Sequence, residues 1–582
     1  MGGMLPLAEV IAAVEAQGER LRAEFYRAQG PRGRRGSCPL DREIEESLRA
    51  SLTRLVDCAF AGEETEPVPG ARKGELWLVD PHDGTFEFMS GRRGSAISVA
   101  LVRGGVPVLG VVHAPDSPDR GHDTIAWAEG AGPMLRNGEP VRSDLSRREL
   151  APGELVFATA SSAQRPETFS RAASPARYVA MPSIAYRMAR VAAGDGIATV
   201  SLHGVHEYDI AAGMALIRAA GGVCLDAQGR DIELQGDSQR TLSGCFAGAP
   251  QAARHLQGRE WSSLEQEPRR EVRTALGFPR RRQQSALARA QGCLAGHVIG
   301  DALASQGPGA QELADGGAHK TIAGQPTDAG EMAITLARSL VRERRFDKDK
   351  LLDAYRTWLT SRPVEVAKTT ERGLLGLHTS ESESNGSLMR IAPVGIWGAS
   401  DPQRAARTAR EDSALTHPNP VCLEACAGYA AAIAAGVGGG NRNAMLDAAI
   451  AYCAGPARAA ILLGAESTPP AEDGKRRGSV FAALQNAFFC LFHDGFEAAL
   501  ARTAAAGGDA GSNAAIACAL IGAARGREAI PPRWLQRLLA CRPLAQADAL
   551  RPRPIEYWPD DILELAEALL NSGSEPEFQK RN

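Results

Sequence analysis

Three short acidic segments within the first 210 residues carry the residue types that metal-assisted hydrolysis needs. The central one is Asp80-Pro81-His82-Asp83-Gly84-Thr85. The apolar run Leu76–Val79 reads as a strand that delivers Asp80 at its end. Pro81 sets a bend, and Asp83 follows three residues on, so both carboxylates can converge. Gly84 and Thr85 permit a sharp turn whose backbone N–H groups can face an anion. Upstream, Gly62-Glu63-Glu64 puts two acids beside a glycine; downstream, Glu207-Tyr208-Asp209 leads into a helix at Ile210-Ala211-Ala212-Gly213. Hard oxygen donors with no His or Cys cluster suit Mg2+. Such ions hold phosphate oxygens and neutralise charge on a departing oxygen, so the implied chemistry is hydrolysis of a small-molecule phosphate ester.

The elements that must position these acids can be read around them. Residues 1–26 and 41–60 pattern as two amphipathic helices, with Leu48, Leu52 and Leu55 on one face of the second. Ser95–Val102 and Val106–His113 read as a hairpin about Arg103-Gly104-Gly105, and 183–193 and 209–220 as helices. Helices and antiparallel strands intermixed predict a layered α+β domain over 1–257. Residues 258–287 are polar, with six arginines between Arg269 and Arg282, and read as a solvated linker. From 288 strand signals nearly vanish. Helical runs at 288–305, 331–343, 347–360, 403–411, 422–436, 443–454, 480–490, 513–525 and 561–570 predict an all-α domain over 288–575.

Length and composition agree with a two-domain enzyme. A chain of 582 residues exceeds what one core supports. Lys plus Arg is 66 against 69 for Asp plus Glu, a net charge of −3, which argues against a nucleic-acid binder. The eleven cysteines form no C-x-x-C, and Cys422 and Cys426, at helical spacing in an Ala-rich run, read as buried packing. The N-terminal helix pattern carries Glu15 and Glu19 and is no signal peptide, and no run reaches the ~18 apolar residues of a membrane span. A cytoplasmic protein without a membrane partner is expected; a homodimer is left open.

Trp77-Leu78-Val79-Asp80-Pro81-His82-Asp83-Gly84-Thr85-Phe86-Glu87-Phe88 resembles the central motif of the inositol-monophosphatase-like metal phosphatases. The Gly62-Glu63-Glu64 and Glu207–Gly213 segments resemble that family's other two motifs, in the same order, and the likeness runs to about residue 245. It implies an active phosphomonoesterase with two or three Mg2+ ions held by Glu64, Asp80, Asp83 and Asp209, with His82 contributing only its backbone carbonyl. By the same likeness Thr85 and Glu64 hold the attacking water, Asp41 polarises Thr85, and Gly84 and Thr85 meet the substrate. Glu87, Phe88 and Glu207 bring the motifs nearest those of the 3′(2′),5′-bisphosphate nucleotidases, although Phe86 stands where those have lysine. A phosphorylated nucleotide or nucleotide sugar is therefore the expected substrate, with an inositol phosphate as the alternative. Arg92 and Arg93 read as a solvated turn.

The helical half resembles the ADP-ribosylglycohydrolases in Gly292–Ala304, Pro326–Leu340, Ser384–Trp397, Ser413–Tyr429 and Gly507–Gly526. That family is all-α and usually uses two Mg2+ or Mn2+ to cleave a glycosidic bond at ADP-ribose. Three of its acids are missing: Ala329, Gly511 and Pro308 stand at those positions, and Glu312 is out of place. Thr327, Asp328, Asp509 and Ser512 survive as donors, enough for at most one Mg2+. Asn385, Gly386, Ser387, Met389 and Arg390 match the substrate-side loop, and His417 the nucleotide-side histidine. The expectation is a domain that binds ADP-ribose or an ADP-ribosylated ligand with its catalytic centre reduced. Runners-up are an active glycohydrolase domain and a non-enzymatic ADP-ribose sensor.

Overall fold

The computed structural model describes residues 5–34, 36–237, 240–261, 267–274, 284–377, 381–399, 401–470, 478–547 and 549–573. Arg280, Arg281 and Arg282, counted among the six arginines above, lie outside the described residues. The chain divides into two compact units, one up to Val272 and one containing Arg273, Thr274 and the chain from 284 onward.

The first unit contains α1 (Leu7–Phe25), α2 (Pro39–Leu55), β1 (Cys58–Gly62), β2 (Arg72–Asp83), α3 (Thr85–Phe88), β3 (Ala96–Arg103), β4 (Val106–Ser117), β5 (Gly121–Ala128), β6 (Leu135–Arg136) and β7 (Glu139–Pro140). These seven strands form one sheet in sequence order, with β1 parallel to β2 and the rest antiparallel. The chain continues through β8 (Leu155–Thr159), α4 (Pro166–Ala173), β9 (Arg177–Met181), α5 (Ile184–Ala192), β10 (Ala198–Ser201), β11 (Val205–His206), α6 (Glu207–Ala219), β12 (Val223–Leu225), β13 (Thr241–Leu242), β14 (Cys245–Gly248) and α7 (Pro250–Gln257). A second sheet runs β12-β14-β10-β8-β9. Helices α1 and α2 cover one face of the first sheet, α5 and α6 lie between the two sheets, and α4 and α7 pack on the second. This is the layered α+β architecture expected, and the hairpin β3–β4 turns at Gly104-Gly105.

Two expectations change here. The second helix stops at Leu55, and Cys58–Gly62, whose first three residues were expected as its continuation, is strand β1. Its apolar residues pair with Leu76–Val79 of β2, which a helix ending on the same spot could not do. The segment from 258, expected as a solvated linker, packs in part on the first unit, while Arg273 and Thr274 belong to the second and bond Asp560 and Asp561 there. Trp261 lies against Phe169 and Phe246 with tilted rings, the Glu267 carboxylate accepts the backbone N–H groups of Glu167 and Thr168, and Arg270 bonds Gln164 O and Glu167. Glu267 thus caps the first turn of α4 from outside.

The second unit is helical: α8 (Gln284–Ala304), α9 (Asp328–Glu343), α10 (Lys348–Thr360), α11 (Lys368–Leu374), α12 (Ala392–Trp397), α13 (Pro402–Ser413), α14 (Pro420–Val437), α15 (Arg442–Tyr452), α16 (Gly455–Ala465), α17 (Val480–His493), α18 (Phe496–Ala506), α19 (Ala510–Arg525), α20 (Pro532–Leu539) and α21 (Ile562–Gly573). Helix α14 does have the length and apolar character to cross a membrane, contrary to expectation, but most of it is buried inside this unit. A helix packed on all sides is apolar all round for that reason.

At the centre, α8 lies against α19. Gly292, Gly296 and Gly300 recur every four residues along one face of α8. A Cβ on them would stand 2.4 Å from Gly526 C, 2.9 Å from Cys518 O and 2.5 Å from Ala514 O. The missing side chains allow the two backbones to touch, which brings the end of α8, with Asp301, against the start of α19. A Cβ at Gly522 would lie 2.0 Å from Gly292 O. Gly522→Val is therefore expected to cost at least about 1–3 kcal/mol by overpacking, read as a lower urea midpoint than wild type.

Candidate active site

In the first unit, pairing register decides which acids meet. Gly62 pairs with Val79 across the parallel β1–β2 ladder, so the next residue, Glu63, comes beside Asp80. Neighbours in a parallel pair point to the same side. Glu63 is in hydrogen-bond contact with the Asp80 carboxyl. Glu64 next to it feels the charges of Asp41, Glu45 and Arg42. The sequence expectation placed Glu64 in the ligand set; the strand register sets Glu63 beside Asp80. Glu45, unnoticed in the sequence, is fully buried and holds this turn: its carboxylate accepts Glu64 N–H at 2.8 Å and Thr65 Oγ1–H at 2.5 Å. Its signal was available, since Glu45 sits four residues after Asp41 on the buried face of α2.

Asp80 and Asp83 are three apart, which in a regular strand would put them on opposite faces. The β2–β3 register slips between them, with Asp80 opposite Ser98 and Asp83 opposite Ala96. This bulge at Pro81-His82 turns both towards the same place. Asp80, 1 % exposed, accepts His82 N–H at 2.8 Å. One oxygen of Asp83 accepts Ser183 Oγ–H at 2.6 Å and Ala185 N–H at 2.8 Å at the start of α5. Asp209 closes a capping box at the start of α6 by accepting His206 N–H at 2.7 Å, and its carboxyl also contacts Asp80.

Each of these three acids is thus anchored through one oxygen by protein donors. Carboxyl-to-carboxyl contacts require a shared proton. Accordingly Asp80, Asp83 and Asp209 are all held above the usual carboxylate range, first by burial; neighbouring acids add to this at Asp80 and Asp209. Glu63, more open at the mouth, is pushed up to about 7 by loss of water and then by the charges of Glu64, Asp83 and Asp41. Arg187 is the cationic neighbour acting on Asp83. Among the described residues no three His, Cys, Asp or Glu side chains are already gathered around a common point as in a filled centre. Four closely placed carboxyls nonetheless form a donor set that divalent cations would relieve.

Thr85 follows Gly84, whose φ of +99° is open to glycine and whose Cβ would press on Ser95 and Pro182. Its hydroxyl has His82 O at 2.8 Å and Asp41 Oδ2 at 3.3 Å as acceptors. Of the three residues behind the substrate expectation, Phe88 and Glu207 turn elsewhere. Phe88 is buried against Phe25 and the His82 ring. Glu207 is fully buried and accepts Gln235 N–H, Gly236 N–H and Arg240. Glu87 is influenced by Asp83, Arg92 and Arg187, and burial raises its pKa. Phe86, beside Thr85, keeps 46 % of its surface exposed. Arg93, expected in a solvated turn, is buried: Asp116 pairs with it, and its guanidinium lies over the rings of Phe25 and Tyr26.

In the helical unit the surviving positions gather where α8, α9 and α19 begin or end. Asp301, fully buried, uses both oxygens: Oδ2 accepts Thr327 N–H (2.7 Å) and Gly330 N–H (2.9 Å), and Oδ1 accepts Thr327 Oγ1–H (2.5 Å) and Ser305 Oγ–H (3.2 Å). Asp328 accepts Ala367 N–H at 3.2 Å and is held well above the carboxylate range by burial, then by Asp301, Glu365 and Asp509. Asp509 accepts the Asn385 amide at 2.9 Å, and Ser512 Oγ faces Met389 Sδ. Glu312 bonds Arg533 and Trp534. At Gly511 a Cβ would stand 2.6 Å from Ser305 Oγ and 3.5 Å from Asp301 Oδ1, and Ala329 is fully buried. Donors present here do not fit a two-metal centre: acids are missing at 329 and 511, and the nearest buried one has both oxygens engaged.

The expected ligand loop is largely internal. Arg390, fully buried, pairs with Asp412 at 2.9 Å, bonds Thr416 and lies over Tyr355. Ser387 accepts Ser413 Oγ–H, and Gly386 packs against the His417 ring. Burial and then Arg390 lower the His417 pKa to about 3; its neutral ring bonds Ser384 Oγ (2.9 Å) and Thr416 Oγ1 (2.8 Å). Sequence reading also missed Glu331, buried between Arg553 (2.7 Å) and Trp358 Nε1 (2.7 Å).

Residues 34–262 match the inositol monophosphatase family and residues 282–577 the ADP-ribosylglycohydrolase family. The chain belongs to both. A probable inositol 1-monophosphatase, ImpA of Mycobacterium tuberculosis, is 30 % identical over 239 residues, 39 % of this chain and 85 % of that protein. An ADP-ribosyl-[dinitrogen reductase] glycohydrolase of Rhodospirillum rubrum is 28 % identical over 272 residues, 43 % of this chain and 90 % of that protein. A solved ADP-ribosylglycohydrolase-related protein complex covers 50 % of this chain and 99 % of its own, with 26 % identity and a TM-score of 0.41. The inositol monophosphatase unit is that of a metal-dependent phosphatase, fused to an ADP-ribosylglycohydrolase-like helical unit.

The acid cluster of the phosphatase unit makes a prediction that needs no substrate. In chelator, Asp80→Asn removes one buried, mutually repelling carboxyl and keeps an acceptor for His82 N–H. It is expected to raise the melting midpoint by ~2–4 °C, about 1 kcal/mol. Added Mg2+ should raise the wild-type midpoint and leave that of the variant nearly unchanged. A fall in chelator would contradict this account of the cluster.

Proposed function

We propose that the phosphatase unit hydrolyses a phosphomonoester of a small polyol, an inositol or sugar phosphate, with Glu63, Asp80, Asp83 and Asp209 holding Mg2+. The observation that carries this reading is the four-carboxyl cluster at the ends of β1 and β2 and the starts of α5 and α6. Bound Mg2+ would supply charge to the phosphate oxygens and the departing oxygen. The chain itself orients the reaction. Thr85 Oγ1 commits its proton to His82 O or Asp41, so its lone pairs are left to accept a hydrogen bond from the attacking water and orient it. The Gly84-Thr85 turn meets the phosphate. Water adds to phosphorus, the ester P–O bond breaks, and the proton passes to the alcohol.

Support for an inositol-type substrate comes from the named activities of relatives such as ImpA. The nucleotide reading loses Phe88 and Glu207, which are buried in the fold, and keeps one observation in its favour: the exposed Phe86 ring beside Thr85, on which a base could stack. Phosphate release from inositol 1-phosphate and from 3′-phosphoadenosine 5′-phosphate separates the two. We expect kcat/KM to favour the inositol ester; a tenfold preference for the nucleotide, about 1.4 kcal/mol, lost in Phe86→Ala, would reverse the assignment. Asp209→Asn and Glu63→Gln should each abolish Mg2+-dependent release, and Glu64→Gln should retain most of it.

For the helical unit we infer binding of an ADP-ribose-type ligand without two-metal glycohydrolysis. Asp328, Asp509 and Asn385 remain at the cleft, while the acids at 329 and 511 are gone. Calorimetric titration of the full chain with ADP-ribose should show binding. Incubation with ADP-ribosyl-arginine should release no ADP-ribose above the buffer rate; rapid metal-dependent release would overturn this part.

A further inference from the structure

We propose that the His82 side chain is a positioning residue that sets the proton direction of Thr85 through Asp41. This rests on the phosphatase reading of the same site and adds a side chain that the family likeness left without a role. His82 is 1 % exposed, and an imidazole buried in an apolar setting is costly unless its nitrogens are used. Both are used. Nδ1 lies 2.7 Å from Asp41 Oδ1, and Nε2 lies 3.1 Å from Ser95 Oγ. The edge of the ring meets Phe88 at 4.4 Å between centroids, and Phe25 backs Phe88 at 5.0 Å, so the imidazole cannot swing away without repacking.

The hydrogen bonds run in one direction. Asp41 as a carboxylate only accepts, so the ring donates Nδ1–H to it and Nε2 accepts from Ser95 Oγ–H. The second Asp41 oxygen is then held 3.3 Å from Thr85 Oγ1, while the His82 carbonyl stands 2.8 Å from the same hydroxyl. Thr85 has one proton and two acceptors, and His82 governs both: one through its backbone, the other through its ring on Asp41. A charge-assisted bond from the ring moderates the pull of Asp41 and fixes its orientation. Thr85 thereby keeps its proton on the protein side and its lone pairs towards the water. A residue serving only to fill space would be satisfied by an aliphatic side chain here.

The test uses the full chain and four variants. His82→Leu keeps the backbone carbonyl and an apolar contact for Phe88 but removes the donor; His82→Asn keeps an amide N–H near the Nδ1 position. With Mg2+, His82→Leu should lower kcat at least about tenfold with KM changed less than about threefold, and His82→Asn should restore kcat to within about threefold of wild type. In an Asp41→Asn background, adding His82→Leu should change kcat by less than about twofold, because both act through one path. Histidine-ring 15N spectra of the metal-free wild type should show an Nδ1–H tautomer that disappears in His82→Leu. Unchanged kcat in His82→Leu, additive losses in the double variant, or an Nε2–H tautomer would each overturn the proposal. A wild type with no Mg2+-dependent phosphate release from any monoester would overturn the phosphatase reading and this one together, and is seen before any variant is made.

Discussion

A buried carboxylate must find donors, and how many of its oxygens they occupy decides what it can still do. In the phosphatase unit Asp80, Asp83 and Asp209 each give one oxygen to backbone N–H groups or a hydroxyl at a bulge or helix start. The carboxyls of Glu63 and Asp209 are turned on Asp80. In the helical unit Asp301 gives up both oxygens to Thr327, Gly330 and Ser305. One arrangement stores repulsion that a cation can relieve; the other is already neutralised by the fold.

The scaffolding on either side serves that accounting of donors. The bulge in β2 overrides strand alternation so that Asp80 and Asp83 agree in direction, and the parallel ladder with β1 adds Glu63. Helix starts then supply oriented N–H groups, which also favour negative charge by their dipole. In the helical unit the glycine face of α8 allows close approach to α19. That approach places Ser305 where a carboxylate on residue 511 would project, so the vacated position is filled from the neighbouring helix.

Much of this was legible in the sequence because short-range chemistry wrote it. Asp80-Pro81-His82-Asp83-Gly84-Thr85 announces a bend, an acid pair and a turn, and the apolar periodicity of the long helices is visible in residues such as Val10, Val14 and Leu21. Pairing register was not legible. Glu63 and Glu64 are chemically equal and adjacent, and only the alignment of Gly62 with Val79 decides between them. The short strand Cys58–Gly62 was hidden behind a helix of matching apolar content. Buried partners distant in sequence, such as Glu331 with Arg553 or Arg93 with Asp116, were likewise invisible, because nothing local marks a charge whose counterion lies elsewhere.

The helical unit is braced away from the positions expected to hold metal. Arg390 pairs with Asp412, which also bonds Tyr355, and Glu331 pairs with Arg553 and bonds Trp358. None of these contacts runs through 329 or 511, so Ala and Gly there leave the support intact. Asp328 remains buried, with one backbone donor and three acids acting on it, and its charged form is strongly disfavoured. Replacement by asparagine would relieve that cost and keep an acceptor for Ala367 N–H.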